Sequence, residues 1–418
     1  MHPQRLFYCI CVALMSIQAS TAFADTPPNW PSFRGPGSYG HANAAEPPLD
    51  WDGQSGKHVV WKVPVPKSGM SSPVVWDQLV ILTGGDADQR VIYGFSNMTG
   101  ELLWRQDTKG IIPSISQGEY PQLHDGSGFA ASTATLNDQA VAAIFATGEL
   151  LCVNHVGHRL WSKNLGFPSN HYGHASSLLE HKGVLYVQYD QRKNSSLMAF
   201  EMLTGKLLWR VERSAISWSS PILIQSGSKQ ELILTNGKAI NSYDPTTGKL
   251  RWEVPGMDGE VAPSAAYGDG RVFIANEYAA AAGIAINQPE RDPEILWAWT
   301  DVLPDAASPL ANDQVVIIPS GYGIMNCLDA ATGQVYWEHK FEEGFYASPI
   351  LVDDKVYALD LKGTMQIFKM AKRFKLLGSP SIDEKANATP AFVGSRIYIR
   401  GSEHLFCIGA NGSDDQGR

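Results

Sequence analysis

One phrase recurs along the chain: a glycine, three further residues, then a tryptophan. Gly100, Gly157, Gly205, Gly248 and Gly333 are each followed four residues later by Trp104, Trp161, Trp209, Trp252 and Trp337. In four of the five a threonine precedes the glycine: Thr99, Thr204, Thr247 and Thr332. A tight hairpin needs a residue at positive φ, which glycine adopts freely, and the strand that follows alternates faces. A fixed offset therefore sets a large side chain on a fixed face. The tryptophan is expected to be a mostly buried anchor that stacks one unit on its neighbour.

A second phrase opens each unit with small residues, a short strand, a polar turn and a second strand. It begins at Ser71, Ser219, Ala262, Ala307, Ala347 and Ala388, with looser copies at Ala131 and Ala175, which makes eight starts. Tryptophan endings also reach eight: Trp61, Trp104, Trp161, Trp209, Trp252, Trp297, Trp337, and Phe374 as a substitute. Spacings are mostly 37 to 48 residues, the length of one four-stranded propeller blade. The exception is the 57-residue step from Trp104 to Trp161, which carries an inserted turn-rich loop. The first ending, around Trp61, precedes the first start, and the last start has no ending after it. Pairing the N-terminal strand with the last unit removes both free edges. The expectation is an all-β, eight-bladed propeller of four-stranded antiparallel blades over residues 58–409, with an N-terminal extension at 25–57 and a disordered tail at 410–418.

Residues 1–24 read as a signal peptide. Arg5 precedes an apolar run from Leu6 to Ile17, and Ala22-Phe23-Ala24 fits a cleavage site before Asp25. The run is too short for a membrane span. Cys9 and Cys11 lie within it rather than after it, so no lipid-attachment cysteine is placed. The chain is expected to be exported, periplasmic or secreted, and monomeric. Its net charge of −9 without a basic stripe excludes an electrostatic nucleic-acid binder. Cys152, Cys327 and Cys407 fall at one register in three distant units. They are expected to be free, small packing residues.

The phrases DAATGQVYW from Asp329 and DPTTGKLRW from Asp244 resemble the tryptophan-docking repeat of PQQ-like, quinoprotein-type β-propellers. The resemblance runs from about Trp51 to Gly409. WPSFRGPGSYGH from Trp30, with VVWKVPVPKSGMSSPVVW after it, is similar to exported bacterial PQQ-like repeat proteins, including BamB-like ones. In the quinoprotein dehydrogenases this implies a quinone in the central funnel, a calcium ion held by Glu, Asn and Asp, and adjacent cysteines over the cofactor. Beyond the leader this sequence has no adjacent cysteines, and no calcium trio maps onto it. The expected role is therefore a non-catalytic scaffold for a protein, peptide or envelope polymer. A PQQ- and calcium-dependent oxidoreductase and a BamB-like assembly factor are the alternatives.

A binding site on such a fold belongs to the loops that feed the innermost strands. These loops offer His124, Asp125, His171, His174, Trp218, Asp258, Glu260, Tyr346 and Asn387, with Lys67 to Met70, Asp305 and Phe345 beside them. His171 and His174 have metal-like spacing but no third ligand nearby, so no metal is placed there. No catalytic residue is assigned, since nucleophile-elbow, phosphate-loop and HExxH motifs are absent.

Overall fold

The computed structural model describes residues 29–44, 46–111, 123, 126–286 and 292–410. The leader, most of the inserted loop, His124, Asp125 and the tail from 411 lie outside them.

Eight antiparallel sheets form an eight-bladed β-propeller. Blade 1 contains Val74–Trp76, Leu79–Gly85, Arg90–Ser96 and Leu102–Asp107, from the innermost strand outward. Blades 2 to 7 follow in sequence. In blade 8, Ala391–Val393, Arg396–Arg400 and His404–Ile408 take Val59–Pro64 as the outermost strand, which closes the ring. The inner strands are buried, while the outermost ones alternate, as in RLWSKN of Arg159–Asn164.

The recurring phrase has a clear physical basis. Gly100, Gly157, Gly205, Gly248 and Gly333 all sit at positive φ, between 68° and 83°. The preceding Asp or Asn caps the turn: Asp329 Oδ1 accepts the Ala331 and Thr332 amides, and Asp244 Oδ1 those of Thr246 and Thr247. Trp61, Trp104, Trp161, Trp209 and Trp297 each lie over the turn glycine of the next blade. A Cβ on Gly100 would stand 2.7 Å from Trp61, and one on Gly333 2.6 Å from Trp297. The Trp104, Trp161 and Trp297 indoles also donate to a carbonyl of that turn, at 2.8, 2.8 and 3.1 Å. Within its own blade each tryptophan pairs with a small residue: Gly94, Cys152, Ala199, Ser242, Gly283, Cys327 and Cys407. The three cysteines are buried and free.

Blade 7 departs from the expectation. Gly378 occupies the tryptophan register there, paired with Ile367. Phe374 stands upstream on the turn, where its ring receives Trp337 at 5.1 Å, so it is the docked-upon residue and not the docking one.

A ring of hydroxyls ties the inner strands together. The amides of Ser72, Thr133, Ser177, Ser220, Ser264, Ser308 and Ser348 each donate to the hydroxyl of the next blade, Thr133 through Thr389, at 2.8–3.1 Å. The seam between blades 8 and 1 is held by Arg400, whose Nη1 donates to Ser71 O, Ser71 Oγ and Thr83 O.

The segment from Trp30 fills the base of the central channel. Trp30 exchanges backbone hydrogen bonds with Val75 of blade 1 at 2.8 Å, and Pro31 O accepts the Leu136 amide of blade 2. Arg34 is fully buried and donates to Ala265 O of blade 5 and Pro309 O of blade 6 at 3.0 and 2.6 Å. His41–Ala42 adds a parallel strand to Leu351–Val352 of blade 7, and Trp30 packs on Phe392 of blade 8. Gly35, at φ 80°, leaves no room for a side chain beneath Trp30, which accounts for the glycine after Arg34.

Candidate functional site at the channel mouth

With the base filled, the open concave end is the mouth, where two sets of turns meet. One precedes each inner strand; the other joins the second and third strands of each blade.

Blades 3 to 7 contribute an aromatic and acidic arc. His171 Nε2 lies 3.0 Å from Glu260 Oε1, both about two-fifths exposed. Tyr172 meets the Trp218 ring edge-on at 4.9 Å, and the Trp218 indole donates to Gly173 O at 3.2 Å. Tyr278 rests on Gly259, where a Cβ would lie 2.7 Å from it. The Tyr322 hydroxyl reaches Glu277 at 3.3 Å, and Tyr346 stands beside Asp305. Glu277 pushes the Tyr322 phenol pKa up, and Asp305 does the same to Tyr346. Tyr278, Tyr322 and Tyr346 are 61, 63 and 44% exposed, high for rings of this size. Among the described residues Lys340 contacts the arc only through the Tyr322 carbonyl.

Between blades 7, 8, 1 and 2 the mouth opens into a cavity of about 730 Å³. Its wall includes Met70, Phe129, Leu361, Lys362, Lys385, Asn387 and Arg400. Its carboxylates are engaged: Asp86 by Lys67, and Glu343 by Lys362 at 2.6 Å.

Four of the sequence candidates, His171, Trp218, Glu260 and Tyr346, come together on the arc. Asp258 is exposed next to them, its carboxylate accepting the Gly259 amide at 2.8 Å. Asn387 lines the cavity, as do Ser68, Gly69 and Met70. His174 does not reach the rim. It is 3% exposed, stacks on Tyr189 at 5.1 Å, and burial lowers its pKa to about 4. Phe345 is likewise core, packed edge-on against Phe341. The loops before the inner strands gave no hint of Glu277, Tyr278 and Tyr322, which stand on hairpin tips, nor of Arg400 at a strand end. A signal for Arg400 did exist: at its register the other blades carry Thr83, Ile144, Gln188, Thr235, Ala275, Pro319 and Leu359, none charged.

These residues do not fit a calcium-held quinone. A hard cation needs six to eight converging oxygens. Among the described residues the carboxylates of the mouth are instead drawn to Lys67, Lys362, His171 and tyrosines on several blades. Among the described residues no three His, Cys, Asp or Glu side chains converge.

A family model described as outer membrane protein assembly factor BamB matches residues 49–178, 91–298 and 285–404. The chain belongs to that family. BamB from Moraxella catarrhalis superposes with a TM-score of 0.61 over 85% of this chain and 98% of that one, at 11% identity. The computationally designed Ika8 protein gives 0.60 over 84% and 99%, at 13% identity. A europium-containing methanol dehydrogenase, 10% identical, reaches 0.47 over 79% and 89%. At such identities the likeness to BamB and Ika8 is one of fold. No curated protein matches the sequence. No helix among the described residues is long and apolar enough to cross a membrane.

Proposed function

We propose that this chain is a non-catalytic binding propeller of the cell envelope, exported after cleavage near Ala24 and monomeric, which holds a protein or peptide against its mouth face. The observation that carries this reading is the arc of Tyr278, Tyr322 and Tyr346, exposed rings set among Glu260, Glu277 and Asp305. Aromatic side chains are the usual anchors of protein interfaces, and carboxylates beside them select and orient a partner. Family membership favours a role like that of BamB, named as an outer membrane protein assembly factor.

A photo-crosslinking residue placed at Tyr322 in cells is expected to give a discrete adduct with an envelope protein. The same residue at Val156, 62% exposed on a base-side turn, is expected to give none. Equal labelling from both positions refutes the mouth as the binding face. Dye-linked oxidation of alcohols or sugars after loading with PQQ and Ca²⁺ would replace this reading with the oxidoreductase.

A further inference from the structure

Arg90, Arg213 and Arg400 lie at blade seams or within blades with their guanidinium groups buried, and they differ in one respect. Arg213 holds Asp190 in a bidentate grip, Nε to Oδ1 at 2.8 Å and Nη2 to Oδ2 at 3.0 Å. Arg90 applies the same Nε and Nη2 edge to Glu149. Arg400, 2% exposed, has no carboxylate on that edge among the described residues. Its Nη1 is fully used, by Ser71 O at 3.2 Å, Ser71 Oγ at 2.8 Å and Thr83 O at 2.7 Å. Among the described residues Nη2 has only a 3.4 Å contact with Lys67 O, and no acceptor meets Nε. A guanidinium offers five N–H donors, and the Nε and Nη2 pair is the fork that matches a planar anion.

Arg400 belongs to the wall of the 730 Å³ cavity. Gly69 keeps the approach clear, since a Cβ there would stand 3.0 Å from Nη2. Lys385 lies on the same wall, exposed and without an ion pair among the described residues, whereas Asp86 and Glu343 are engaged by other lysines. Arg400 and Lys385 thus face a space whose wall also holds Lys362, paired with Glu343, and the half-buried Met70, Phe129 and Leu361. Burial without a counter-charge is costly, and it pulls the Arg400 pKa down to about 10.

We propose that the cavity is a binding site for an organic carboxylate. The carboxylate sits on the Nε and Nη2 edge of Arg400, Lys385 screens its charge from the rim, and an apolar body lies against Met70, Phe129 and Leu361. The Nη1 contacts keep the seam between blades 8 and 1 whether or not a ligand is present. The carboxylate could be a polypeptide terminus or a free acid. Only the first source rests on the mouth-face reading above.

Ligand-observed NMR on the purified protein with hexanoate and hexanamide, matched in shape, tests the site. Hexanoate is expected to bind at least tenfold more tightly. Lys385→Glu, which breaks no side-chain hydrogen bond or ion pair among the described residues, is expected to weaken hexanoate about tenfold and leave hexanamide unchanged. Arg400→Gln is expected to abolish the preference, and Arg400→Lys to retain part of it. Equal binding of acid and amide, or unchanged hexanoate binding in both Lys385→Glu and Arg400→Gln, overturns the proposal. A short peptide with a free C-terminus that outcompetes its amidated form assigns the carboxylate to a polypeptide. Competition by the free acid alone assigns it to a small molecule. Neither measurement uses the arc, so the crosslinking result from Tyr322 stands or falls separately.

Discussion

Ser220→Ala removes one link of the hydroxyl ring and little else. Ser220 is 7% exposed, Ser177 is 5%, and the Ser177 amide donates to Ser220 Oγ at 2.8 Å. The substitution leaves that amide buried without an acceptor, which costs about 1–3 kcal/mol. Ser220's own amide still reaches Ser264 Oγ at 2.8 Å, so the next link survives. With an unfolding entropy of about 2.1 cal/mol/K per residue, a loss of about 2 kcal/mol moves the Tm of a propeller this size by about 2–3 °C. Ser220→Thr supplies the control, because Thr133 and Thr389 already fill the same role in blades 2 and 8. Urea titration and native-state amide exchange read the outcome. Ser220→Ala is expected to lower the midpoint and strip protection from the Ser177 amide, and Ser220→Thr to keep both close to wild type. If the alanine variant matches wild type at both readouts, or threonine is as harmful as alanine, the ring is not a stabilising device.

His174 makes stability depend on pH. Its folded pKa, about 4, lies below the ordinary value of 6.5, so the unfolded chain takes the proton first as pH falls. Stability is therefore lost between pH 6.5 and 4, by about 3 kcal/mol at most from this group at about 1.4 kcal/mol per unit. Denaturant midpoints of His174→Phe at pH 7.5 and 4.5 are expected to differ by less than those of wild type; an identical pH dependence counts against the assignment. At the register beneath Trp337, Cys327→Ala, the residue blade 3 carries, should cost about 1 kcal/mol, whereas Cys327→Leu, which overfills it, should cost about 1–3 kcal/mol in urea titration. Burial raises the Cys152, Cys327 and Cys407 thiols to about 12, so these three should resist Ellman's reagent until the protein is unfolded.

The blades were legible in the sequence because their signals are local. A turn glycine, an Asp cap and a tryptophan four residues on specify a hairpin without reference to the rest of the chain. Ring closure followed from counting ends. The base of the channel was not legible. Nothing periodic marks Trp30 to His41, and the meaning of Arg34 lies in carbonyls of Ala265 and Pro309, more than two hundred residues away. The mouth was half legible. Loops before the inner strands gave His171, Trp218, Glu260 and Tyr346. His174, though only three residues from His171, points into the core, because a loop has no fixed period from which to read a direction. The hairpin-tip tyrosines escaped because a second family of turns shares the same rim.

Threading the first residues through the base and around the outside of blade 8 imposes an order in time. Val59–Pro64 is synthesised long before its partner His404–Ile408. Trp30 to Ala42 needs inner strands of blades 1, 2, 5, 6, 7 and 8 before it has a place to dock. Both steps are long-range closures, which are slow, and until they occur two strand edges stand open to wrong partners. The segments Trp30 to Ala42 and Val59–Pro64 are thus the last to take their places. A reporter on Trp30 should follow the final phase of refolding, after the blade tryptophans have reached their native signal.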